Sequence, residues 1–523
     1  LTIQVKGQVF YVDGCSHNEF TLLKQRGFIS NPQMNRLETT RLRVAAGFRE
    51  HFSIQAEKIF KAMTCEILSP WASGIKIPTG EKLERFQRLG VRHALERNNS
   101  YLAFQQGLGK TPTACAIANT LYEKTLVICP PDLIPNWARH AVKWTRFKKI
   151  MQVGVDGVPK GFDLLFCPDT LIDRSDVEWA LKDHSFGLLI IEEAQRFLLP
   201  DARRTQAIFG KPVDGHNEKE LSGLCHIADK VVCLSGTPMR SRPIEMFPVL
   251  SSLAANTIGY RNKLEYGIRY CAGFEGAHGW DFKGASNADE WRRNVMNVFM
   301  RREEQADHMK VKKEQQVIYL KNNLKPNTVE LEKAILKGKK LADFIRDYEK
   351  LGFINKNAQL GKIASYRKHV AKAKVNYAVD HVRKILDQTD APVLLLGYHE
   401  LFIGELHAKL RKYSPIIVQG KTPKALRDER IAAFQRGASR LFIGQILTMV
   451  GHDLDRAWRV VFGEYDWTFS NNEQAMDRAF RKTQTKNVLV EWLCLEETLD
   501  EYILDANLKK KKVTGTFINN RKA

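Results

Sequence analysis

The sequence predicts an α/β chain with two parallel-sheet domains in series, and three observations carry that prediction. Short apolar runs bounded by helix-length segments occur in one set between 101 and 234 and again between 392 and 490. The first run of the first set leads directly into Gly107-Leu108-Gly109-Lys110-Thr111. Within the second set stand two arginines three residues apart, Arg478 and Arg481.

Size and composition agree with a multidomain globular protein. With 523 residues, 44% of them hydrophobic, the chain can bury more than one core, and its length suggests two to four domains. The 81 Lys and Arg against 59 Asp and Glu leave a formal charge of +22, which favours a polyanionic partner, DNA or RNA. Nine cysteines lie without a CxxC pair or a His-Cys cluster, so no structural zinc is expected. No apolar stretch reaches the roughly 18 residues of a membrane span, and the start at Leu1 shows no signal-peptide pattern. The expected location is cytoplasmic in a bacterial or viral setting and nuclear in a eukaryotic one. A monomer is the favoured state.

In order along the chain, residues 1–78 form an accessory N-terminal domain that opens with the alternating, strand-like Ile3 to Val12 and mixes turn residues with a predicted helix between Phe28 and Ala62. Residues 79–250 form the first domain, with apolar runs at Tyr101–Phe104, Thr125–Cys129, Phe162–Phe166, Leu188–Ile191 and Val231–Leu234. Residues 251–375 lose this rhythm and become a helical insertion, with a long charged helical stretch from Asn327 to Asp387. Residues 376–510 form the second domain, with runs at Pro392–Leu396, Pro415–Val418, Leu441–Ile443, Arg459–Phe462 and Val488–Val490. Residues 511–523 form a basic flexible tail.

Ligands of such sheets bind beyond the carboxyl ends of the strands. In the first domain those ends carry Gly107 to Thr111, Glu192-Glu193 and Gly236-Thr237-Pro238. Gly107 and Gly109 let backbone N–H groups turn onto phosphates, Lys110 can reach the outer phosphate oxygens, and Thr111 can hold Mg²⁺. Glu192 is expected on the metal side and Glu193 at the attacking water. Arg478 and Arg481, on one helical face with Gln474 a turn earlier, are expected to clamp charge that develops on a transferring phosphoryl group.

The ordered set resembles the superfamily 2 helicase-type ATPases, and within them the Swi/Snf-type, chromatin-remodeller-like branch with its compact annealing-helicase (HARP-like) translocases. The resemblance spans about 82 to 505. It rests on Phe86-Gln87, on Leu126 to Trp137, on Leu234-Ser235-Gly236-Thr237-Pro238-Met239, and on Tyr266 to Cys271 with Gly279 to Gly284 and Met300-Arg301-Arg302. In the second domain it rests on Gly451 to Leu454 with Ala457, and on Glu464 to Trp467 leading to Gln484. The resemblance implies two RecA-like lobes, adenine recognition by Gln87, nucleotide contact by Gly451, and ATP with Mg²⁺ at an interlobe cleft. It also implies translocation on double-stranded or branched DNA, with strand annealing or fork remodelling as one form of it. Asn136, Trp137, Thr170, Lys421 and Arg430 are the candidate nucleic-acid contacts.

The sequence departs from that family at named places. Glu192 stands where the relatives have aspartate, Phe104-Gln105-Gln106 replace the usual acids before the glycine-rich turn, and Met476 and Phe480 replace Glu and His. Magnesium tolerates little deviation from octahedral geometry, so the longer Glu192 keeps a hydrolysis-impaired, ATP-gated binding module open as an alternative. An RNA- or single-strand-dependent unwinding helicase is the other, because it shares every ATP-site residue.

Overall fold

A computed structural model of the chain describes residues 2–6, 9–13, 29–31, 36–39, 74–77, 81–211, 223–260, 262–276, 279–324, 353–449 and 453–518. The chain divides into two compact units, residues 1–304 with 513–523 and residues 305–512.

The N-terminal strands are β1 (Gln4–Lys6), β2 (Val9–Asp13), β3 (Ile29–Asn31) and β4 (Arg36–Thr39), joined in the antiparallel order β1-β2-β4-β3. The expected strand from Ile3 to Val12 is thus two strands of a sheet. The helix expected before Ala62 lies outside the described residues.

The main sheet of the first unit uses β5 (Asn99–Phe104), β6 (Thr125–Cys129), β7 (Ile150–Gln152), β8 (Leu164–Pro168), β9 (Leu188–Glu192) and β10 (Val231–Leu234). A small antiparallel pair, β11 (Phe274–Gly276) and β12 (Gly279–Asp281), stands apart, and β13 (Met300–Glu303) completes the main sheet in the order β13-β5-β10-β9-β6-β8-β7. Every pairing in it is parallel. Because strand side chains alternate between faces, β9 sends Leu188 and Ile190 into one core and Leu189 and Ile191 into another. Both faces are therefore apolar, which is why the run carries no polar alternation in sequence.

Strand β13 corrects the first domain boundary. It lies beside β5, with Met300 opposite Tyr101 and Glu303 opposite Phe104, so residues 251–304 belong to the first unit and are not an insertion. Its four residues, Met300-Arg301-Arg302-Glu303, contain a single apolar side chain. An edge position lets the two arginines remain on a strand.

The second unit has β14 (Lys313–Leu320), β15 (Val393–Gly397), β16 (Ile416–Val418), β17 (Leu441–Gln445), β18 (Arg459–Phe462) and β19 (Val488–Leu495), ordered β14-β19-β18-β15-β17-β16. All of its pairings are parallel too. The long helix Phe353–Gln388 supplies Tyr366, Val370, Val375, Val379 and Val382 to its core. Buried Lys374 on that helix is held by Asp500 at 2.5 Å and by the Leu493 carbonyl at 3.2 Å. The two sheets are the two RecA-like lobes the sequence predicts.

Residues 511–518 are not a flexible tail. The helix Leu499–Ile518 runs through them, and Phe517 and Ile518 are buried in the first unit, where the Phe517 ring meets Trp291 edge-on at 5.5 Å. The basic run Lys509 to Lys512 hid this apolar end.

Candidate active site

Parallel pairing brings the functional strand ends of the first unit together. Leu234 at the end of β10 faces both Leu102 of β5 and Glu192 of β9, so the glycine-rich turn, the acidic pair and Ser235-Gly236-Thr237 all leave one edge of the sheet. Arg302 of β13 ties two of these ends, donating to the carbonyls of Ala103 at 3.0 Å and Gly236 at 2.8 Å.

The turn after β5 has Gly107 at φ +78° and Gly109 at φ +74°. Gly109 caps the helix Lys110–Leu121 in the left-handed conformation, and a Cβ there would lie 2.3 Å from the Gln87 amide nitrogen. Only glycine meets both demands. Gln87 closes a capping box with Glu84, and its Nε2 donates to the Leu108 carbonyl at 3.1 Å. The first turn of the Lys110–Leu121 helix contains no acid, which leaves its N–H groups and dipole suited to an anion.

Lys110, 7% exposed, donates from Nζ to the Phe104 carbonyl at 3.3 Å and to Gln106 Oε1 at 3.4 Å. Gln106 Nε2 in turn donates to Glu193 Oε1 at 3.4 Å, and Gln195 Nε2 donates to the other Glu193 oxygen. Ser235 donates to Gln195 Oε1 at 2.5 Å and accepts the Thr237 N–H at 3.0 Å. A chain of side chains thus runs from the lysine through the acid to the end of β10. Glu193 itself holds φ +51°, a left-handed backbone that costs a non-glycine residue free energy and concentrates at functional positions.

Glu192 continues the β9 alternation onto the face shared by Leu188, Ile190 and Trp137. It is 3% exposed, and its Oε2 has no hydrogen-bond partner. Burial, reinforced by the neighbouring Glu193 carboxylate and opposed by Lys110 and the Trp137 indole N–H, raises its pKa to about 8. The Trp137 N–H biases that carboxylate without closing a full hydrogen bond, since Nε1 also lacks a partner.

In the second unit the helix Phe469–Met476 carries half-buried Gln474 and ends at Asp477. Arg478 and Arg481 lie beyond it, so they do not share a helical face as expected. The backbone there closes three-residue turns, Arg478 N–H to Ala475 O, Ala479 to Met476 and Gln484 to Arg481, and Asp477 is drawn to Lys313 at 2.5 Å. Arg481 pairs with Asp453 at 2.9 Å. Gln484 fixes the loop: its Nε2 meets the carbonyls of Asp455, Ala457 and Ala479 at 2.7, 2.9 and 3.0 Å, and its Oε1 accepts from Thr485 and Lys486. Gly451 lies outside the described residues.

The helicase conserved C-terminal domain family matches residues 378–483, the stretch that contains β15 to β18 and the first of these arginines and ends just past the second. A SWI/SNF-related matrix-associated actin-dependent regulator of chromatin subfamily A-like protein 1 homolog of Caenorhabditis elegans is 28% identical over 458 residues, covering 83% of this chain and 62% of that protein. The DNA annealing helicase and endonuclease ZRANB3 of Mus musculus is 26% identical over 472 residues, covering 84% and 41%. By these matches the chain is similar to the superfamily 2 helicase-type proteins of the Swi/Snf branch. The SWI2/SNF2 ATPase core of Sulfolobus solfataricus, solved with dsDNA, aligns at 19% identity and a TM-score of 0.40 over 85% of this chain and 99% of that one. The chain spans from 41% to 62% of the length of the relatives named.

The departure from that family expected at Phe104 has a packing reason. Phe104 is fully buried, meets Phe86 edge-on at 5.7 Å, and lies so close to Gly90 that a Cβ there would sit 2.5 Å from its ring. Among the expected nucleic-acid contacts, Trp137 is corrected: it is 0% exposed and has no surface to offer a strand. Thr170 is exposed in the turn after β8 and Asn136 is half-buried. Exposed Lys421 pairs with Glu400 at 3.2 Å, and Arg430 spends an N–H on the Ile417 carbonyl at 2.8 Å. Sequence reasoning gave no role to Gln106, Gln195, Ser235 or Gln484. Gln106 meets Glu193, Gln195 meets Ser235 and Gln484 meets the Asp455 carbonyl across long sequence separations that no spacing rule marks.

Proposed function

We propose that this protein hydrolyses ATP and uses the energy to translocate on double-stranded DNA. The observation that carries the reading is the convergence, at one sheet edge, of a glycine turn opening a helix, a buried lysine and two adjacent buried carboxylates. The names of the relatives, an annealing helicase among them, and the charge of +22 support DNA as the track. Contacts to phosphates rather than base edges would give movement with little sequence preference.

In this reading Gly107 to Gly109 and the helix N-terminus receive the phosphates, and Lys110 offsets their charge. Gln87 serves adenine. The unpartnered oxygen of Glu192 and the hydroxyl of Thr111 are the groups fitted to hold Mg²⁺, the oxygen-seeking ion. That ion, when bound, offsets charge on the phosphate oxygens. Glu193, fixed by two amide donors, orients the attacking water and accepts its proton. Arg478 and Arg481, with Gln474, are the groups suited to stabilise the charge that develops in transfer.

The test is phosphate release by the purified chain with ATP and Mg²⁺, alone and with duplex DNA, branched DNA, single-stranded DNA or RNA. Duplex or branched DNA should stimulate most. Preferential stimulation by RNA or single strands supports the unwinding-helicase alternative, and tight ATP binding with no turnover under any condition supports the ATP-gated module.

A further inference from the structure

We infer that Gln106 is a positioning residue that ties the carboxylate of Glu193 to the state of Lys110. The inference rests on the hydrolytic reading above. Gln106 is buried, with its Oε1 accepting from Lys110 Nζ and its Nε2 donating to Glu193 Oε1, both at 3.4 Å. The orientation of this amide is set by chemistry. An ammonium only donates and a carboxylate only accepts, so a flipped amide would face two like groups at once. Packing restricts it further: a Cβ on Gly236 would lie 3.1 Å from Gln106 Nε2 and 3.3 Å from its Cγ, so the amide lies against the end of β10.

One neutral side chain therefore spans the cation and the acid of the site. As described, Lys110 is turned back onto Phe104 and Gln106. Phosphate oxygens, being anionic, compete for Lys110 better than an amide oxygen does. When Lys110 leaves, Gln106 loses that donor to its Oε1, while Gln195, itself held by Ser235, keeps its hold on Glu193 from the other side. The carboxylate then has one oxygen anchored and one oxygen free to reorient toward water. Gln106 links phosphate arrival to the release of that oxygen, with no covalent step of its own.

The decisive experiment compares wild type, Gln106→Met and Gln106→Glu in the full chain, reading ATP affinity by titration and single-turnover hydrolysis with duplex DNA. Gln106→Met keeps length and removes both polar groups, so ATP affinity should stay within about twofold while the hydrolytic rate falls roughly tenfold. Gln106→Glu keeps an acceptor for Lys110 but charges it, so ATP affinity should fall about tenfold or more and the rate should fall further. In a Glu193→Gln background, Gln106→Met should add almost no further loss, a non-additivity that a general packing role would not produce. Wild-type turnover with an unaltered Gln106→Met rate overturns this inference alone, as does a Gln106→Met loss that is fully additive to Glu193→Gln. A wild-type protein that binds ATP yet releases no phosphate overturns the hydrolytic reading and this inference with it.

Discussion

The two units hold their charged groups by different means. In the first, Lys110, Glu192 and Glu193 stand at or just beyond the ends of neighbouring parallel strands, and the register of the sheet brings them together. In the second, Arg478 and Arg481 sit on an irregular loop after the helix Phe469–Met476, held by the amide of Gln484 and by Asp453. A sheet edge makes a site rigid through main-chain pairing, whereas a loop must be fastened by individual side chains. Loss of one side chain should therefore damage the second region's geometry more broadly than the first's.

The largest expected effect concerns the arginine whose help is needed only as charge develops. Arg481→Ala should lower DNA-stimulated hydrolysis by roughly 10³-fold, the lower end of what arginine fingers supply. ATP and duplex affinity should remain near wild type, because the loss falls on the transition state. Single-turnover hydrolysis with separate affinity measurements checks this, and a variant with normal turnover would reduce Arg481 to a partner of Asp453.

The first unit offers two further losses, each of about 10²- to 10³-fold, the scale of removing one electrostatic stabiliser. Lys110→Ala should weaken ATP binding as well as turnover. Glu193→Gln should keep ATP affinity and lose turnover, because the amide can neither take the water's proton nor accept from both Gln106 and Gln195 through two oxygens. Nucleotide titration beside steady-state phosphate release separates the two, and equal behaviour of both variants would show that Lys110 and Glu193 do not divide the labour as proposed.

The same contrast explains what the sequence disclosed. The strands of the first unit were legible because Leu188-Leu189-Ile190-Ile191 and its counterparts are buried on both faces, and the strand-end rule then located Gly107 to Thr111 and the acidic pair. Strand β13 was not legible, since Met300-Arg301-Arg302-Glu303 has no apolar run, nor was β14, where Lys313-Glu314-Gln315-Gln316 opens an exposed edge. The helical face expected for Arg478 and Arg481 failed for another reason: helical spacing continues in the sequence past the point where Asp477 turns aside to Lys313. Trp137 shows a further limit, because an aromatic beside a polar residue has the same pattern whether it meets a nucleic acid or a buried carboxylate.

Gln484 tests the fastening of the loop directly. Gln484→Ala leaves three backbone carbonyls without their donor, and losing the partners of buried polar groups costs about 1–3 kcal/mol. The second unit should lose about that much stability in denaturant titration, and hydrolysis should fall because Arg481 loses its register. The counterpart in the first unit, Gln195→Asn, shortens one donor to Glu193 while the strand pairing remains, so stability should change by less. Equal destabilisation by the two variants would break the contrast between sheet-held and loop-held sites.

The smallest and most specific difference is in pH response, because the two units bury carboxylates whose pKa values move in opposite directions. Burial raises Glu192 to about 8. For Glu464 burial also pushes upward, but the His399 ring and the backbone N–H of His399, aided by Lys374, outweigh it and leave the group below its ordinary value. A group raised in the folded state contributes stability that is present below its unfolded pKa, near the ordinary 4.5, and is lost as pH rises through about 8. A depressed group does the reverse: its contribution is present above its unfolded pKa and is lost as pH falls through the folded one. Glu192→Gln should therefore flatten the decline of first-unit stability between about pH 5 and pH 8.5, whereas Glu464→Gln should act in the acid limb and leave that window unchanged. Trp137→Phe removes an N–H that favours the ionised Glu192, so it should move the decline to higher pH. Thermal melts across pH for wild type and the three variants measure all of this. Parallel curves for wild type and Glu192→Gln from pH 5 to pH 9 would mean that Glu192 is ionised throughout, and would leave its buried Oε2 charged and without a partner.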